Sequence, residues 1–380
     1  MSDLSERLSA RAGESAKPDE YTPKTEFDGV SGHIQTGGLE QPPTDFTALL
    51  EQFGYDPEEV RIVGHPRTSR WQAFDGRWLA AYRFQIAPKT FEMDLPALYQ
   101  ESRLKPRERV AGSTTDRTCV PVIADIQTGK VGSRGGTPEL LDRLERTREK
   151  LAAELERRKP DSVFLPDIND LFENFESGGN PMFTNDLSLA DQMDIAATEV
   201  YKFVELCVSF APTTVAIVPS NHTAWRRGSQ NLGIPGDDLG IFVHKQVEKV
   251  AKAAKLDATW HYPDAYNESL VVKVRDTNVG MVHGNQYRAG KAPEWWAKQT
   301  HGGQPVGTAD ILLTGHLHHL SILPTGRNPF TGRSKWWLQA PSLDNGSDWY
   351  RNAQGDDSDP GMLMFDVTDA GFDLQSLTVL

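Results

Sequence analysis

Five apolar runs in this chain each stop on a cluster of side chains able to ligate a cation. Val120-Pro121-Val122-Ile123-Ala124 runs into Asp125-Ile126-Gln127, and Ser162-Val163-Phe164-Leu165 runs into Asp167-Ile168-Asn169-Asp170. Thr214-Val215-Ala216-Ile217-Val218 is followed by Pro219-Ser220-Asn221-His222, and Val279-Gly280-Met281-Val282 by His283-Gly284-Asn285. The last, Ile311-Leu312-Leu313-Thr314, ends at Gly315-His316-Leu317-His318-His319. Short apolar runs bounded by turn residues read as buried strands. In an open α/β sheet, ligands gather beyond the carboxyl ends of such strands. Neutral imidazole is the commonest metal ligand, so His316 and His318, two residues apart, read as half of a metal site. Carboxylates and amides from the other loops would complete it. For any one of these loops alone, a polar turn with an incidental histidine is the plainer reading.

Helical periodicity fills the gaps between the runs. A helix opens at the Thr137-Pro138-Glu139 cap and continues to about Lys159, with Leu140, Leu141, Leu144, Leu151 and Leu155 on one face. A second extends from Ser188, its N-cap, to about Phe210, and a third lies near 239–255. Residues 269–274 and 279–282 read as a hairpin around Asp276-Thr277-Asn278, and strands at 335–339 and 362–367 close a mixed sheet. The fold class is therefore α/β, a layered sandwich of mixed sheets flanked by helices, over residues 113–380. Ahead of it, residues 45–112 read as a small α+β module: a helix from Asp45 to near Gly54, then a hairpin turning at Asp75-Gly76 as type I′. Residues 1–44 lack apolar periodicity and read as a disordered or extended arm.

A net charge of −13 excludes a protein that coats nucleic acid with a broad basic surface. Residues 61–110 run against that balance, with ten Lys and Arg against five Asp and Glu. There Trp71, Phe74, Trp78, Tyr82 and Phe84 interleave with Arg67, Arg70, Arg77 and Arg83. Such a pattern suits either a half-buried hairpin with a solvated basic face or a surface that stacks bases and neutralises phosphates. With no apolar run long enough for a membrane span and no signal peptide at Met1, the expectation is a soluble cytoplasmic protein without a membrane partner. Cys119 and Cys207, far apart in apolar stretches, read as reduced core thiols.

Taken in order, the strand ends spell Asp-x-Gln, Asn-Asp, Asn-His, His-Gly and Gly-His-x-His. This series resembles the calcineurin-like metallophosphoesterases, whose motifs are Asp-x-His, Gly-Asp, Gly-Asn-His-Glu/Asp, His and Gly-His-x-His. The resemblance runs from Val120 to His318. It implies a metallophosphoesterase-type sandwich and two divalent ions, one held by Asp125, Gln127 and His318 and the other by Asn221, His283 and His316. Asp170 would bridge them, with Asp167 as its rival, and His222 would stand by the scissile phosphate as electrostatic stabiliser or general acid. Arg226 and Arg227 are candidates for binding substrate phosphate. Three departures accompany the match. Gln127 replaces a histidine, which tilts the metal from Zn²⁺ towards harder ions, Mn²⁺ first, with Mg²⁺, Fe²⁺ or Zn²⁺ as alternatives. Asn169 stands where glycine is usual, and Ser220 and Thr223 flank Asn221-His222 in place of glycine and an acid.

The substrate implied first is DNA, by similarity to the double-strand-break repair nucleases. The chain has no ATP-binding motif, so an ATPase partner of the kind they use would be a separate protein. A phosphatase or phosphodiesterase acting on a nucleotide or phosphoprotein is the alternative enzyme, and a non-catalytic metal-binding module the alternative outside enzymes.

Overall fold

The computed structural model describes residues 22–29, 31–73, 75–88, 115–175, 185–227, 230–346, 348, 351–352, 355 and 359–380. The chain divides into two compact units, Met1–Glu92 and Met93–Leu380. In the first, β1 (Lys24–Phe27), β2 (Gly32–Gln35), α1 (Phe46–Gln52), β3 (Val60–Gln72) and β4 (Trp78–Pro88) build an antiparallel sheet of order β1-β2-β4-β3 with one short helix. Asp45 caps α1 by accepting from the Ala48 amide at 3.0 Å. Ile34, Leu50, Val60 and Ile86 form the core.

Two expectations are corrected here. Within the segment expected as a disordered or extended arm, Lys24–Phe27 pairs with Gly32–Gln35, and the latter with β4. Their polar, mostly exposed sequence hides strands held by backbone pairing and by Ile34 in the core, with Phe27 packed against it. The β3–β4 turn is not type I′, which needs positive φ at both central residues. Only Gly76 has it, at φ 84°, and Asp75 does not. Phe74, residues 1–21 and the expected boundary at 112 lie outside the described residues.

In the second unit, β5 (Thr115–Val122), α2 (Thr137–Arg158), β6 (Pro160–Asp167), α3 (Leu189–Phe210) and β7 (Thr213–Ile217) alternate as a parallel β/α series. A two-stranded ribbon, β8 (Arg226–Arg227) and β9 (Gln230–Asn231), leads to α4 (Leu239–Ala253) and β10 (Ala258–His261). Then come β11 (Ser269–Val274), β12 (Thr277–Val282), α5 (Ala292–His301), β13 (Ile311–Thr314), β14 (Ser321–Arg327), β15 (Ser334–Gln339), β16 (Leu363–Thr368) and β17 (Gly371–Val379). One mixed sheet has the order β10-β7-β6-β5-β16-β17 and the other β11-β12-β13-β15-β14. The β11–β12 turn sits one residue earlier than expected, at Arg275-Asp276, with Arg275 at φ 53°.

The apolar runs are continuous because their strands are covered on both faces. Side chains alternate between two cores: Val163 and Leu165 face α2, α3 and α4, whereas Phe164 joins the layer between the sheets. Across that layer Val279, Met281, Ile311 and Leu313 answer Val120, Val122, Phe164 and Ala216. On the outer face of the second sheet, Leu312 and Trp337 pack with Trp296 of α5. Trp296 and Trp337 are thus core residues, their indole N–H groups donating to Val306 O and Thr314 Oγ1. The result is a helix–sheet–sheet–helix sandwich, the layered α/β class that the periodicity predicts. Cys119 and Cys207 are free and buried, and burial pushes both thiols up, Cys207 to about 12. No helix among the described residues is long and apolar enough to cross a membrane.

Candidate metal centre

β5, β6 and β7 run parallel in one sheet, and β12, β13 and β15 run parallel in the other. Their carboxyl-end loops meet. Asp125 accepts from the His316 amide at 3.0 Å, across 191 positions of sequence. The approach is close: a Cβ on Gly315 would lie 2.4 Å from Asp125 Oδ2, so glycine is required there.

Left-handed backbone aims the side chains. Asp125, Gln127, Asn169, Asp170, His316 and His318 all have φ between 47° and 74°. Asp, Asn and His enter this region more readily than other non-glycine residues, and such conformations cluster at functional sites. The i, i+2 spacing of Asp-x-Gln and His-x-His therefore projects two side chains of each pair from similar, strained backbone. Asn169, at the expected glycine position, supplies φ 74° itself. Its amide donates to Val218 O at 2.8 Å and Asp238 Oδ1 at 3.0 Å, in space left open by Gly240, where a Cβ would meet Asn169 Oδ1 at 2.2 Å.

Asp170, His283 and His316 bring one ligand atom each within 4.8 Å of one another. Asp170 Oδ2 and His283 Nε2 face each other at 3.0 Å, both buried and neither in a hydrogen bond. His283 Nδ1 donates to Ile168 O at 2.8 Å, which leaves Nε2 as the lone-pair nitrogen of the neutral ring. A buried carboxylate and two imidazoles converging without hydrogen bonds between them fit one divalent cation. Asp167 does not join them. Its Oδ2 meets His244 Nε2 at 2.9 Å and its Oδ1 accepts from the Asn169 amide, so it braces the loop against α4.

His222 stands between the two halves of the site. Its Nε2 is 3.8 Å from Asp170 Oδ2 and 3.3 Å from Gln127 Nε2, while Nδ1 donates to Glu173 O at 2.8 Å. Glu173, on the loop after β6, thereby orients the ring, the task left open by Ser220 and Thr223. Those two serve elsewhere: Ser220 Oγ accepts from the Asp170 amide, and Thr223 Oγ1 donates to Asp238. Asn221 lines a cleft beside the site with Trp225, Arg226, Glu268, Asn285 and Gln286. Arg226 is anchored there through Asn231, whereas Arg227 is exposed on the ribbon and is not among the lining residues.

The other expected ligand set is differently arranged. His318 Nε2 is 3.3 Å from Asp125 Oδ1, and His318 Nδ1 is 3.4 Å from Asp344 Oδ2. Lys130 Nζ donates to Gln127 Oε1 and to Asp344 Oδ2, both at 2.5 Å. Lys130, Glu173 and Asp344 are absent from the sequence-derived site. Asp344 was recoverable in principle, because it follows the strand at 335–339 as the other ligand types follow theirs.

Charge in this cluster is mutually compensating. Burial opposes ionisation of Asp170, yet His283 and His222 hold its carboxyl well below the usual range. Burial likewise opposes charge on His318, and Asp344 and Asp125 raise it to about 10. His316 goes the other way: burial and the charge of His283 push it down to about 4. For His283, burial lowers and Asp170 more than restores, leaving it raised from 6.5 to about 9. A basic group raised in this way contributes stability in full below pH 6.5 and loses it as pH rises through about 9. In chelator, the melting temperature should therefore fall across that window. Saturating divalent ion should flatten the slope, because the ion replaces the proton. An equal slope with and without ion would exclude His283 as the titrating ligand.

No family model matches the sequence, and no curated protein matches it. Among solved structures, Vps29 of Chaetomium thermophilum is 14% identical over 70% of this chain and 95% of that one, with a TM-score of 0.31. PhoD is 9% identical over 93% and 85% of the two chains, with a TM-score of 0.31. A metallophosphoesterase from Sphaerobacter thermophilus is 14% identical over 65% and 83%, with a TM-score of 0.27. Likenesses this distant carry no functional weight, and the chemistry is read from the site itself.

Proposed function

We propose that this protein is a metal-dependent phosphoesterase that hydrolyses phosphodiester bonds, with DNA as its first candidate substrate and Mn²⁺ as its first candidate ion. The observation that carries the reading is the buried convergence of Asp170, His283 and His316 at the strand ends, with His222 beside it and a cleft alongside. A divalent ion held by those residues supplies Lewis-acid polarisation of a phosphoryl oxygen and lowers the pKa of a bound water.

The chain's own groups do the rest. Glu173 holds the His222 ring by its Nδ1–H, which leaves Nε2 to exchange a proton or a hydrogen bond with the phosphoryl or leaving oxygen. Arg226 offers a guanidinium in the cleft wall, where a phosphodiester would lie. Trp225 is 52% exposed in the same wall and presents a face on which a base can stack. In the first unit, Trp78 is 53% exposed and carries Arg70 over its ring at 5.1 Å, whereas Phe84 is buried. The exposed pair supports the nucleic-acid reading for Trp78, and burial supports the core reading for Phe84.

A small phosphoester, such as a nucleotide or a phosphorylated side chain, is the second reading. Glu268 in the cleft wall favours it, because a carboxylate there repels a polyanion but tolerates a single phosphate. Incubating the protein and Mn²⁺ with single- and double-stranded DNA, and in parallel with an aryl phosphodiester and an aryl phosphomonoester, separates the two. Strand cleavage supports the nuclease. Turnover of the small esters alone supports the second reading. A metal-loaded protein inert towards all of them would sink the enzyme and leave the non-catalytic binding module.

A further inference from the structure

Resting on the phosphoesterase reading, we infer that the site takes one divalent ion rather than two, and that the Lys130 ammonium supplies the positive charge at the second position. The residues that the resemblance assigns to the first ion do not fit it. Gln127 would have to ligate through its amide oxygen, since the amide nitrogen has no lone pair to give. That oxygen is engaged by Lys130 Nζ at 2.5 Å, and Gln127 Nε2 is turned towards His222 Nε2 at 3.3 Å.

Lys130 is held in this place from both sides. Asp344 Oδ2 accepts from the same ammonium at 2.5 Å, and its side chain is 1% exposed against 12% for Lys130. Asp344 also approaches His318 Nδ1 at 3.4 Å, so the carboxylate ties the lysine to the histidine expected to ligate the first ion. His318 Nε2 in turn sits 3.3 Å from Asp125 Oδ1. Gln127, Lys130, Asp344, His318 and Asp125 thus form a continuous chain of polar contacts in which a cation is already present. A lysine ammonium is charged at neutral pH. A divalent ion bound to Gln127 Oε1 would have to share that oxygen with it, against charge repulsion in a buried setting.

The contrast with the other half is direct. Asp170 Oδ2 and His283 Nε2 are buried without hydrogen bonds and face each other. The Gln127 half is occupied by an ammonium bonded to two acceptors, and the Asp170 half gathers a carboxylate and two imidazoles without an ammonium. Chemically, a lysine beside a single hard ion suits a phosphate ester: ion and ammonium can each take a non-bridging oxygen, and the ammonium does so as a point charge with several donors. Glutamine rather than histidine at position 127 then goes with the lysine, because an amide oxygen accepts from an ammonium at any pH, whereas an imidazole does so only while one ring nitrogen is unprotonated.

The test is stoichiometry, read independently of activity. The full chain is stripped with chelator, dialysed against Mn²⁺, and measured for bound manganese by elemental analysis and for its electron paramagnetic resonance spectrum. One ion per chain is expected, with the hyperfine pattern of an isolated Mn²⁺, retained in His318→Ala and lost in His283→Ala. The double substitution Lys130→Ala with Gln127→His is expected to take up a second ion and to show the broadened spectrum of a coupled pair. Two ions in the wild-type protein, or loss of the bound ion in His318→Ala, would overturn the inference. Wild-type protein that binds no Mn²⁺ would instead overturn the phosphoesterase reading on which it rests. Should the double variant fail to fold, the wild-type stoichiometry and the two single histidine variants still decide the matter.

Discussion

Asp170→Asn should reduce Mn²⁺-dependent phosphoester hydrolysis by on the order of 10³-fold or more. Lewis-acid stabilisation by a bound ion is worth several kcal/mol, and each ~1.4 kcal/mol is a factor of ten in rate. Asparagine keeps the shape of the side chain but removes the charge, and with it the partner that faces His283 Nε2 at 3.0 Å. The comparison that gives the result meaning is Asp167→Asn. Asp167 lies three positions away, but its carboxylate is committed to His244 and to the Asn169 amide. That variant should retain bound Mn²⁺ and lose stability instead, by about 1–3 kcal/mol for a buried hydrogen-bonded group. If Asp167→Asn lost the ion while Asp170→Asn kept it, the assignment of the two aspartates would be reversed. Equal activity in wild type and Asp170→Asn would point to a contaminating hydrolase.

The largest effect on folding should come from Asp366→Ala, in the body of the six-stranded sheet. Asp366 is 1% exposed and accepts from Arg158 at 2.9 Å, Arg117 at 3.0 Å and the Cys119 thiol at 3.1 Å. Arg158, at the last turn of α2, is itself only 5% exposed. Removing the carboxylate leaves the buried guanidinium with the Glu154 carboxylate, 2.8 Å from its Nε, as its remaining acidic partner. Breaking a buried pair typically costs about 3–5 kcal/mol and Glu154 holds the loss to the lower end of that range, whereas replacing both partners by apolar residues of similar volume costs far less. Urea unfolding of Asp366→Ala and of the double variant Asp366→Leu with Arg158→Met measures the difference. If the double variant is as unstable as the single one, the loss is one of packing and the uncompensated-charge account fails. Arg117 adds little to the expected number because its side chain is 38% exposed and screened by solvent.

Much of the site was legible because of how doubly covered strands are written. A strand packed on both faces shows as an unbroken apolar run, so Val163-Phe164-Leu165 and Ile311-Leu312-Leu313 mark their own ends, and the polar residues that follow must lie at the sheet's rim. Edge strands carry no such signal. Lys24–Phe27 is almost wholly exposed, and nothing in its residues separates it from a loop until β2 is there to pair with it. The choice between Asp167 and Asp170 was equally closed to a linear reading, since both are polar and lie on one short segment. The turn between them separates the two: Asn169 and Asp170 take φ of 74° and 53°, and Asp170 faces His283 while Asp167 faces His244.

The amino-acid sequence by itself determined the inner strands that carry the candidate site, where they stop, and which ligand-capable side chains stand at their ends, because burial periodicity and left-handed tolerance are local properties. The edge strands β10, β14 and β17 were not read from it. The tertiary structure alone decided which of those atoms meet. Asp125 and His316 are 191 positions apart, Lys130 and Asp344 are 214 apart, and no local rule relates them. Their meeting depends on two sheets packing face to face with their carboxyl ends aligned, and that packing places an ammonium beside Gln127 and two imidazoles beside Asp170.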